Sequence, residues 1–170
     1  MEIRYAERHE LREAAAFIND CWRWAYEDIL DPVYLDTLSD GACHERMLER
    51  YDDGGRPLLL FSDDMELMGY CRFGSSNTEV YPGDGEISAI YLREDIVGRG
   101  YGHALFTLAQ DELRAQGYRN LVLDVLSENT RAIAFYRAHG FRKVGGQKYS
   151  WGGKEYPLDI MRKTAEDDYD

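Results

Sequence analysis

The spacing of apolar positions predicts that the N-terminal part of the chain is helical. Apolar residues recur at helical intervals across residues 9–26, and Pro32 suits the first turn of a second helix. We expect the Asp40-Gly41 pair to interrupt that second helix, with another turn or two over residues 44–51. The run of Asp and Gly at residues 52–55 then predicts a break in the structure.

After residue 55 the pattern changes to short apolar runs separated by turn residues, which is typical of strands. With a first strand near the N-terminus, the predicted strands cover residues 3–6, 57–61, 67–73, 86–92, 121–125, 141–150 and 155–161. Two further helices are predicted, one after a glycine-rich segment at residues 97–103 and one that Gly140 ends. The order β-α-α-β-β-β-α-β-α-β-β predicts an α/β fold in which helices flank a mixed central sheet of about seven strands. We expect residues 1–164 to form a single domain and residues 165–170 an acidic, frayed tail.

The charge balance limits the partners of this chain. Its 170 residues carry a net charge of −12, so general binding to nucleic acid or to an anionic membrane surface is not expected. The charge is uneven, because residues 1–92 hold 8 basic and 20 acidic side chains, whereas residues 93–143 hold 8 and 6. This asymmetry reflects either chance clustering or an anionic ligand that binds near the middle of the chain.

Neither a membrane segment nor a metal site is expected from the sequence. The N-terminus lacks the apolar stretch of a signal peptide, and no run approaches the roughly 18 apolar residues of a membrane span. Cys21, Cys43 and Cys71 are widely spaced and form no C-x-x-C pair, so they support neither a disulfide framework nor a zinc site. Free cysteines suit a reducing cytosol, and we therefore expect a cytoplasmic protein.

A glycine-rich segment between a predicted strand and a predicted helix has the features of an anion site. Amide groups at a helix start lack intrahelical acceptors, and glycine lets an anion approach them closely. A P-loop is excluded because no Gly-Lys-Ser/Thr occurs, and the dinucleotide motif fails because its last glycine position holds a histidine. The alternative is a connection that binds nothing. The segment consists of Val97, Gly98, Arg99, Gly100, Tyr101, Gly102 and His103.

Two motifs in this order resemble those of the GNAT superfamily of N-acetyltransferases. The family has a Gln/Arg-x-x-Gly-x-Gly/Ala segment between its fourth strand and the next helix, and residues 97–102 match its two glycines. Val97 departs from the pattern, since Gln or Arg is usual there. Residues 127–141 resemble the family's second motif, with an Asn, a Phe-Tyr pair and a Gly-Phe ending.

The resemblance implies a GNAT-like fold and an acetyl-CoA cosubstrate. In the family, the strand before the glycine segment offers backbone groups to the pantetheine arm, which here implicates Ile90, Tyr91 and Leu92. The pyrophosphate would lie on the amides of residues 97–103. Asn129 matches a position that often contacts the cosubstrate. The implied reaction is direct acetyl transfer to a primary amine, without an acyl-enzyme and without a metal.

The resemblance also suggests an acid and a base. Tyr136 stands where family members often have a tyrosine that protonates the departing thiolate, although a Tyr on that helix face also suits the core. Glu86 begins the fourth strand, where many members have a glutamate that deprotonates the amine directly or through water. The alternative for Glu86 is a surface charge at a strand end. A backbone amide near Tyr91 or Leu92 would hold the oxyanion.

The acceptor is the least defined part of the sequence-based hypothesis. We expect an amine of a small molecule or peptide, of cationic character because residues 1–92 are acidic, with Trp22 and Tyr26 as candidate contacts. Both aromatic residues also suit a helix core. The competing function is a catalytically silent acyl-CoA-binding sensor or interaction domain, which would not need Tyr136 or Glu86. A homodimer is consistent with the family's frequent pairing.

Overall fold

A computed structural model describes residues 1–168 and confirms the predicted α/β class. The helices are α1 (Leu11–Ala25), α2 (Pro32–Asp36), α3 (Asp40–Asp52), α4 (Tyr101–Ala115) and α5 (Thr130–Ala138). The strands are β1 (Glu2–Tyr5), β2 (Leu58–Phe61), β3 (Leu67–Ser75), β4 (Gly85–Leu92), β5 (Leu121–Leu126), β6 (Arg142–Trp151) and β7 (Lys154–Lys163). They form one mixed sheet in the order β1-β2-β3-β4-β5-β7-β6.

The pairing of β4 with β5 is parallel and short. Its register joins Gly85 to Leu121 and Glu86 to Val122, so the ladder covers only the first two residues of β4. The β1–β2, β2–β3, β5–β7 and β6–β7 pairs are all antiparallel. The last six residues of β4 therefore continue beyond the β4–β5 ladder.

The structure corrects the expected interruption at Asp40-Gly41, because these residues begin α3. The Ser39 hydroxyl oxygen accepts a hydrogen bond from the Ala42 amide at 3.2 Å, which caps the helix. The negative charge of Asp40 is also favourable in a first helical turn. Three α-helices, rather than the two predicted, consequently separate β1 from β2.

Residues 1–73 and 89–111 form one compact unit, called here the N-terminal unit. Its core joins the inner faces of α1 and α3 to the strands of the same unit. The Arg4 guanidinium adds a part-buried ion pair with Glu10, with an N–O distance of 2.6 Å. The core residues are Ala6, Leu11, Ala14, Ala15, Cys43, Met47, Leu59, Phe61, Leu67 and Tyr70.

Residues 74–88 and 112–168 belong to a second compact unit, the C-terminal unit. Arg162 on β7 donates to both carboxylate oxygens of the buried Asp84, at 2.6 and 3.1 Å, and lies 4.4 Å from the Tyr81 ring centre. These contacts fix the loop that leads into β4. At the other end, Ala165–Asp168 forms a 3₁₀ turn, while residues 169–170 of the predicted tail lie outside the described residues.

Gly85, the first residue of β4, is packed too closely for a side chain, and a substitution can test this packing. An added Cβ would lie 3.0 Å from Tyr118 and 3.1 Å from Leu113, whereas a Cβ at Gly83 would meet nothing within 4 Å. We expect Gly85→Ala to lower the free energy of unfolding by about 1–3 kcal/mol through overpacking. Gly83→Ala is the matched control, and urea unfolding of both variants measures the difference. Equal stabilities of the two variants would contradict the tight packing.

Candidate active site

The glycine segment forms an open cradle at the N-terminus of α4. Gly98 and Gly100 have φ of 82° and 88°, a left-handed conformation that side chains disfavour. A Cβ at either glycine would meet no atom within 4 Å, so the space above the backbone is clear. The first helical hydrogen bond runs from the Ala104 amide to the Gly100 carbonyl, at 3.2 Å. The amides of residues 101–103 precede it and have no i−4 acceptor within the helix.

This cradle fits a phosphate-bearing ligand. Helix-start amides and the helix dipole both favour a negative charge at that position. Arg99 and His103 are exposed on either side of the helix start, whereas Gly102 is buried in its first turn. Val97, the departure from the motif, is only partly exposed. The segment can therefore bind a pyrophosphate through its backbone without the side chain that usually occupies position 97.

Tyr91, near the end of β4, is a predicted cosubstrate residue that interacts with the two predicted acceptor residues of the N-terminal unit. Its ring stacks on Tyr70, with ring centres 6.3 Å apart. Burial raises the pKa of Tyr91, and polar interactions with the side chains of Trp22 and Tyr26 act against that rise. Trp22 and Tyr26 also contact each other edge to face, with ring centres 5.0 Å apart. The two predicted acceptor residues thus lie beside the predicted pantetheine strand.

The neighbours of Tyr91 in β4 are partly exposed. Ile90 and Leu92 lie beyond the β4–β5 ladder, as a role in binding an extended arm requires. The Leu92 carbonyl accepts a hydrogen bond from the Cys21 thiol at 3.3 Å, which ties β4 to α1. This bond is one direct link between the end of β4 and α1.

A pair of arginines beside Tyr70 was not predicted from the sequence. The charges of Arg72 on β3 and of Arg46 both act on Arg50 of α3. Partial burial, and then the charge of Arg72, lower the pKa of Arg50. Within residues 1–168 no carboxylate forms an ion pair with Arg50. This local positive charge stands out in a segment whose net charge is strongly negative.

Glu86 lies in the C-terminal unit, where its side chain is buried rather than exposed at a strand end. One carboxylate oxygen accepts the Asn77 amide at 2.8 Å. Asp124 on β5 lies two residues beyond the β4 partner Val122, so both carboxylates are on one face of the sheet. Burial and then the charge of Glu86 raise the pKa of Asp124, against a bond from Gln147. Sequence analysis missed Asp124 because only the register places it beside Glu86.

The second motif supplies Asn129 and Tyr136, also in the C-terminal unit. Asn129 is the N-cap of α5, and its side-chain oxygen accepts the Ala132 amide at 3.2 Å. Tyr136 is half-buried, with ring centres 5.6 Å from Phe135 and 6.5 Å from Phe141. Its ring therefore packs with apolar neighbours, an arrangement compatible with either a structural or a chemical role.

The described residues contain neither a metal cluster nor a membrane helix. Within residues 1–168 no three His, Cys, Asp or Glu side chains are grouped so that they could hold a metal ion. None of the helices in that range is long and apolar enough to cross a bilayer.

Comparison with known proteins identifies the family. The model of the acetyltransferase (GNAT) family matches residues 11–141, which include the glycine cradle, Glu86 and the second motif. The chain belongs to this family. The match confirms the resemblance that the two motifs indicated.

Related proteins agree with this assignment. An uncharacterized N-acetyltransferase, YuaI, of Bacillus subtilis is 26% identical over 89% of this chain and 86% of its own length. An L-methionine sulfoximine/L-methionine sulfone acetyltransferase of Pseudomonas aeruginosa is 34% identical over 72% of this chain and 71% of its own. The crystal structure of the PaiA N-acetyltransferase of Thermoplasma acidophilum, in complex with coenzyme A, superposes with a TM-score of 0.78 at 21% identity, over 96% and 98% of the two chains.

The family, the relatives and the cradle together define the reaction class. The protein is an acetyl-CoA-dependent N-acetyltransferase, and acetyl-CoA is its cosubstrate. Acetyl-CoA supplies the activated acetyl group, and the clear space above Gly98 and Gly100 suits the approach of a pyrophosphate to the backbone.

The cradle predicts a specific loss of CoA affinity. Gly100→Ala forces a side chain into the left-handed region and places a methyl group where phosphate oxygens approach. We expect the Kd for CoA, measured by calorimetry, to rise about 10- to 100-fold, since charge-assisted hydrogen bonds contribute about 1.5–3 kcal/mol.

Gly54→Ala is the control for backbone strain alone. Gly54 has a similar φ of 92° and equally open surroundings, but it lies outside the motif. Both variants should lose comparable stability, while only Gly100→Ala loses CoA. The same Kd in both variants would refute the cradle.

Proposed function

We propose that the protein acetylates the primary amine of a small molecule that also carries a carboxylate, such as an α-amino acid analogue. The Arg50–Arg72 pair beside Tyr70 carries this proposal. A region where several guanidinium charges oppose one another favours a nearby anion, and a carboxylate matches the planar geometry of a guanidinium group.

The relative from Pseudomonas aeruginosa supports the same acceptor class. Its name specifies L-methionine sulfoximine and L-methionine sulfone, both of which have an α-amine beside a carboxylate. The aromatic cluster of Trp22, Tyr26 and Tyr91 would then contact the rest of the acceptor. An ammonium group can also interact favourably with aromatic faces.

A cationic small amine or a peptide amine is the second candidate. The net charge of −12 favours the approach of cations over long distances, and this prediction from the sequence is independent of the arginine pair. The two candidates differ in one chemical group, the carboxylate, so a single panel of amines can separate them.

For the chemistry, we propose that Tyr136 protonates the departing thiolate and that Glu86 accepts a proton from the amine. A phenol, with an ordinary pKa near 10, can donate to the sulfur as the C–S bond breaks, because its pKa lies within about two units of a thiol pKa near 8.5. Direct transfer, without an acetylated cysteine, is consistent with the burial of the three cysteines among the described residues.

Buried free thiols also suit the predicted cytoplasmic location. A homodimer stays a prediction of the family resemblance.

The acceptor class is tested by thiol release from acetyl-CoA with L-methionine sulfone, its decarboxylated amine and spermidine. We expect the highest kcat/KM with methionine sulfone. Arg72→Gln should lower that value about 10- to 100-fold through loss of a charge-assisted bond, and leave the decarboxylated amine unaffected. Arg12→Gln, an exposed change on α1, is the control. Preferred turnover of spermidine would overturn the carboxylate proposal in favour of the cationic one.

The role of Tyr136 is tested by Tyr136→Phe. We expect kcat to fall about 10²–10⁴-fold, as is typical for loss of a general acid, while the Kd for CoA is unchanged. Tyr149→Phe removes a hydroxyl from an exposed tyrosine of the same unit and should have no effect. Unchanged kcat in Tyr136→Phe would restrict this residue to packing.

A further inference from the structure

Asp124 is an unusual residue for its position. It is the one charged side chain in β5, a strand whose other five residues are buried and apolar. Its Oδ2 atom accepts a hydrogen bond from the Gln147 amide at 2.7 Å. Its Oδ1 atom is buried, and nothing in residues 1–168 donates a hydrogen bond to it. A carboxylate held in this way is costly for folding alone, so its presence needs another explanation.

Glu86 shares the face of Asp124, on the neighbouring parallel strand. The register pairs Glu86 with Val122, and Asp124 follows two residues later on the same face, so the two Cα atoms are diagonal neighbours about 8 Å apart, within reach of one another's side chains. Glu86 commits one carboxylate oxygen to the Asn77 amide at 2.8 Å, which holds its side chain in place. Two neighbouring carboxylates bind one proton more tightly than an isolated carboxylate does, and the charge of Glu86 is one of the two causes that raise the pKa of Asp124, after burial.

We propose that Glu86 and Asp124 act as one carboxylate pair that takes the proton of the acceptor ammonium, with Asp124 as the positioning residue that keeps the pair's affinity for that proton high. The proposal rests on the acetyltransferase activity and not on the identity of the acceptor.

The proton balance of the step is simple. The ammonium group gives one proton to the pair, and the electron pair left on nitrogen forms the new C–N bond. The C–S bond breaks with its electrons on sulfur, and the thiolate gains a proton through Tyr136, which is replaced by the second proton of the nitrogen. Ammonium and acetyl-CoA thus give amide, CoA thiol and one proton, which the pair returns to water.

The groups that face Asp124 within the C-terminal unit are few. Glu86 faces it from β4, and Gln147, which does not titrate, faces it from β6. From β7, Arg162 is on the same face, but both its hydrogen bonds go to the buried Asp84. Among these groups, the charge of Glu86 is the one that raises the pKa of Asp124, in addition to burial.

The pH profile of kcat/KM, measured with the fastest amine of the panel above, tests the pair. Asp124→Asn keeps the shape and the contact with Gln147 but removes the second charge. In this variant, the acidic limb of the kcat/KM profile should move to lower pH by about one unit or more, and kcat at pH 7 should fall. Gln147→Met removes the bond that stabilises ionised Asp124, so its limb should move to higher pH by roughly half a unit.

Asp159→Asn is the matched control. Asp159 is a buried aspartate of the same unit, but its partners are Ser127 and Lys143. It should keep the wild-type limb. If circular dichroism shows that Asp124→Asn is folded, the direction in which the acidic limb of its pH profile moves tests the proposal. If that variant does not fold, the Gln147→Met variant, whose changed residue is exposed, provides the test. A wild-type limb in the deciding variant overturns the proposal, even if the acceptor preference is as expected.

Discussion

The short parallel ladder between β4 and β5 is the constraint on which the candidate site depends. Every backbone amide and carbonyl needs a partner, and a strand inside a sheet normally finds its partners on both sides. Here the register with β5 ends at Glu86, six residues before β4 ends. Ile90–Leu92, the residues that the family resemblance implicates in cosubstrate binding, belong to the part of β4 beyond that register. The close packing of Gly85 against Tyr118 anchors the point from which β4 departs.

Charge in this protein acts differently at long and short range. The net charge of −12 describes the field that a distant molecule meets, but it does not describe the chemistry of any one group. Close to Tyr70, two arginines create a positive site inside an acidic segment. On one face of β4 and β5, the carboxylates of Glu86 and Asp124 are neighbours. Arg162 is on the same face, but its hydrogen bonds go to Asp84. Local arrangement can thus give a site a charge opposite to that of the segment around it.

Sequence alone predicted the features that depend on neighbours along the chain. The α/β order and the glycine segment at a helix start both belong to local patterns along the chain. The break at Asp40-Gly41 was wrong because a serine cap outweighs the low helix propensity of one glycine. Arg72 and Asp124 could not be found, because their importance arises from contacts with Arg50 and Glu86. Those contacts exist only after α3 packs and the β4–β5 register is set.

The buried cysteines have a consequence for an enzyme that handles thioesters. A thiolate near an acetyl thioester can capture the acetyl group by exchange, which would acetylate the protein instead of its substrate. Burial raises the pKa of Cys21 to about 12, and its thiol donates to the Leu92 carbonyl, on the very strand implicated in binding the pantetheine arm. The thiol therefore stays protonated and unreactive at neutral pH. The protein can thus keep sulfur beside its substrate strand without acetylating itself there.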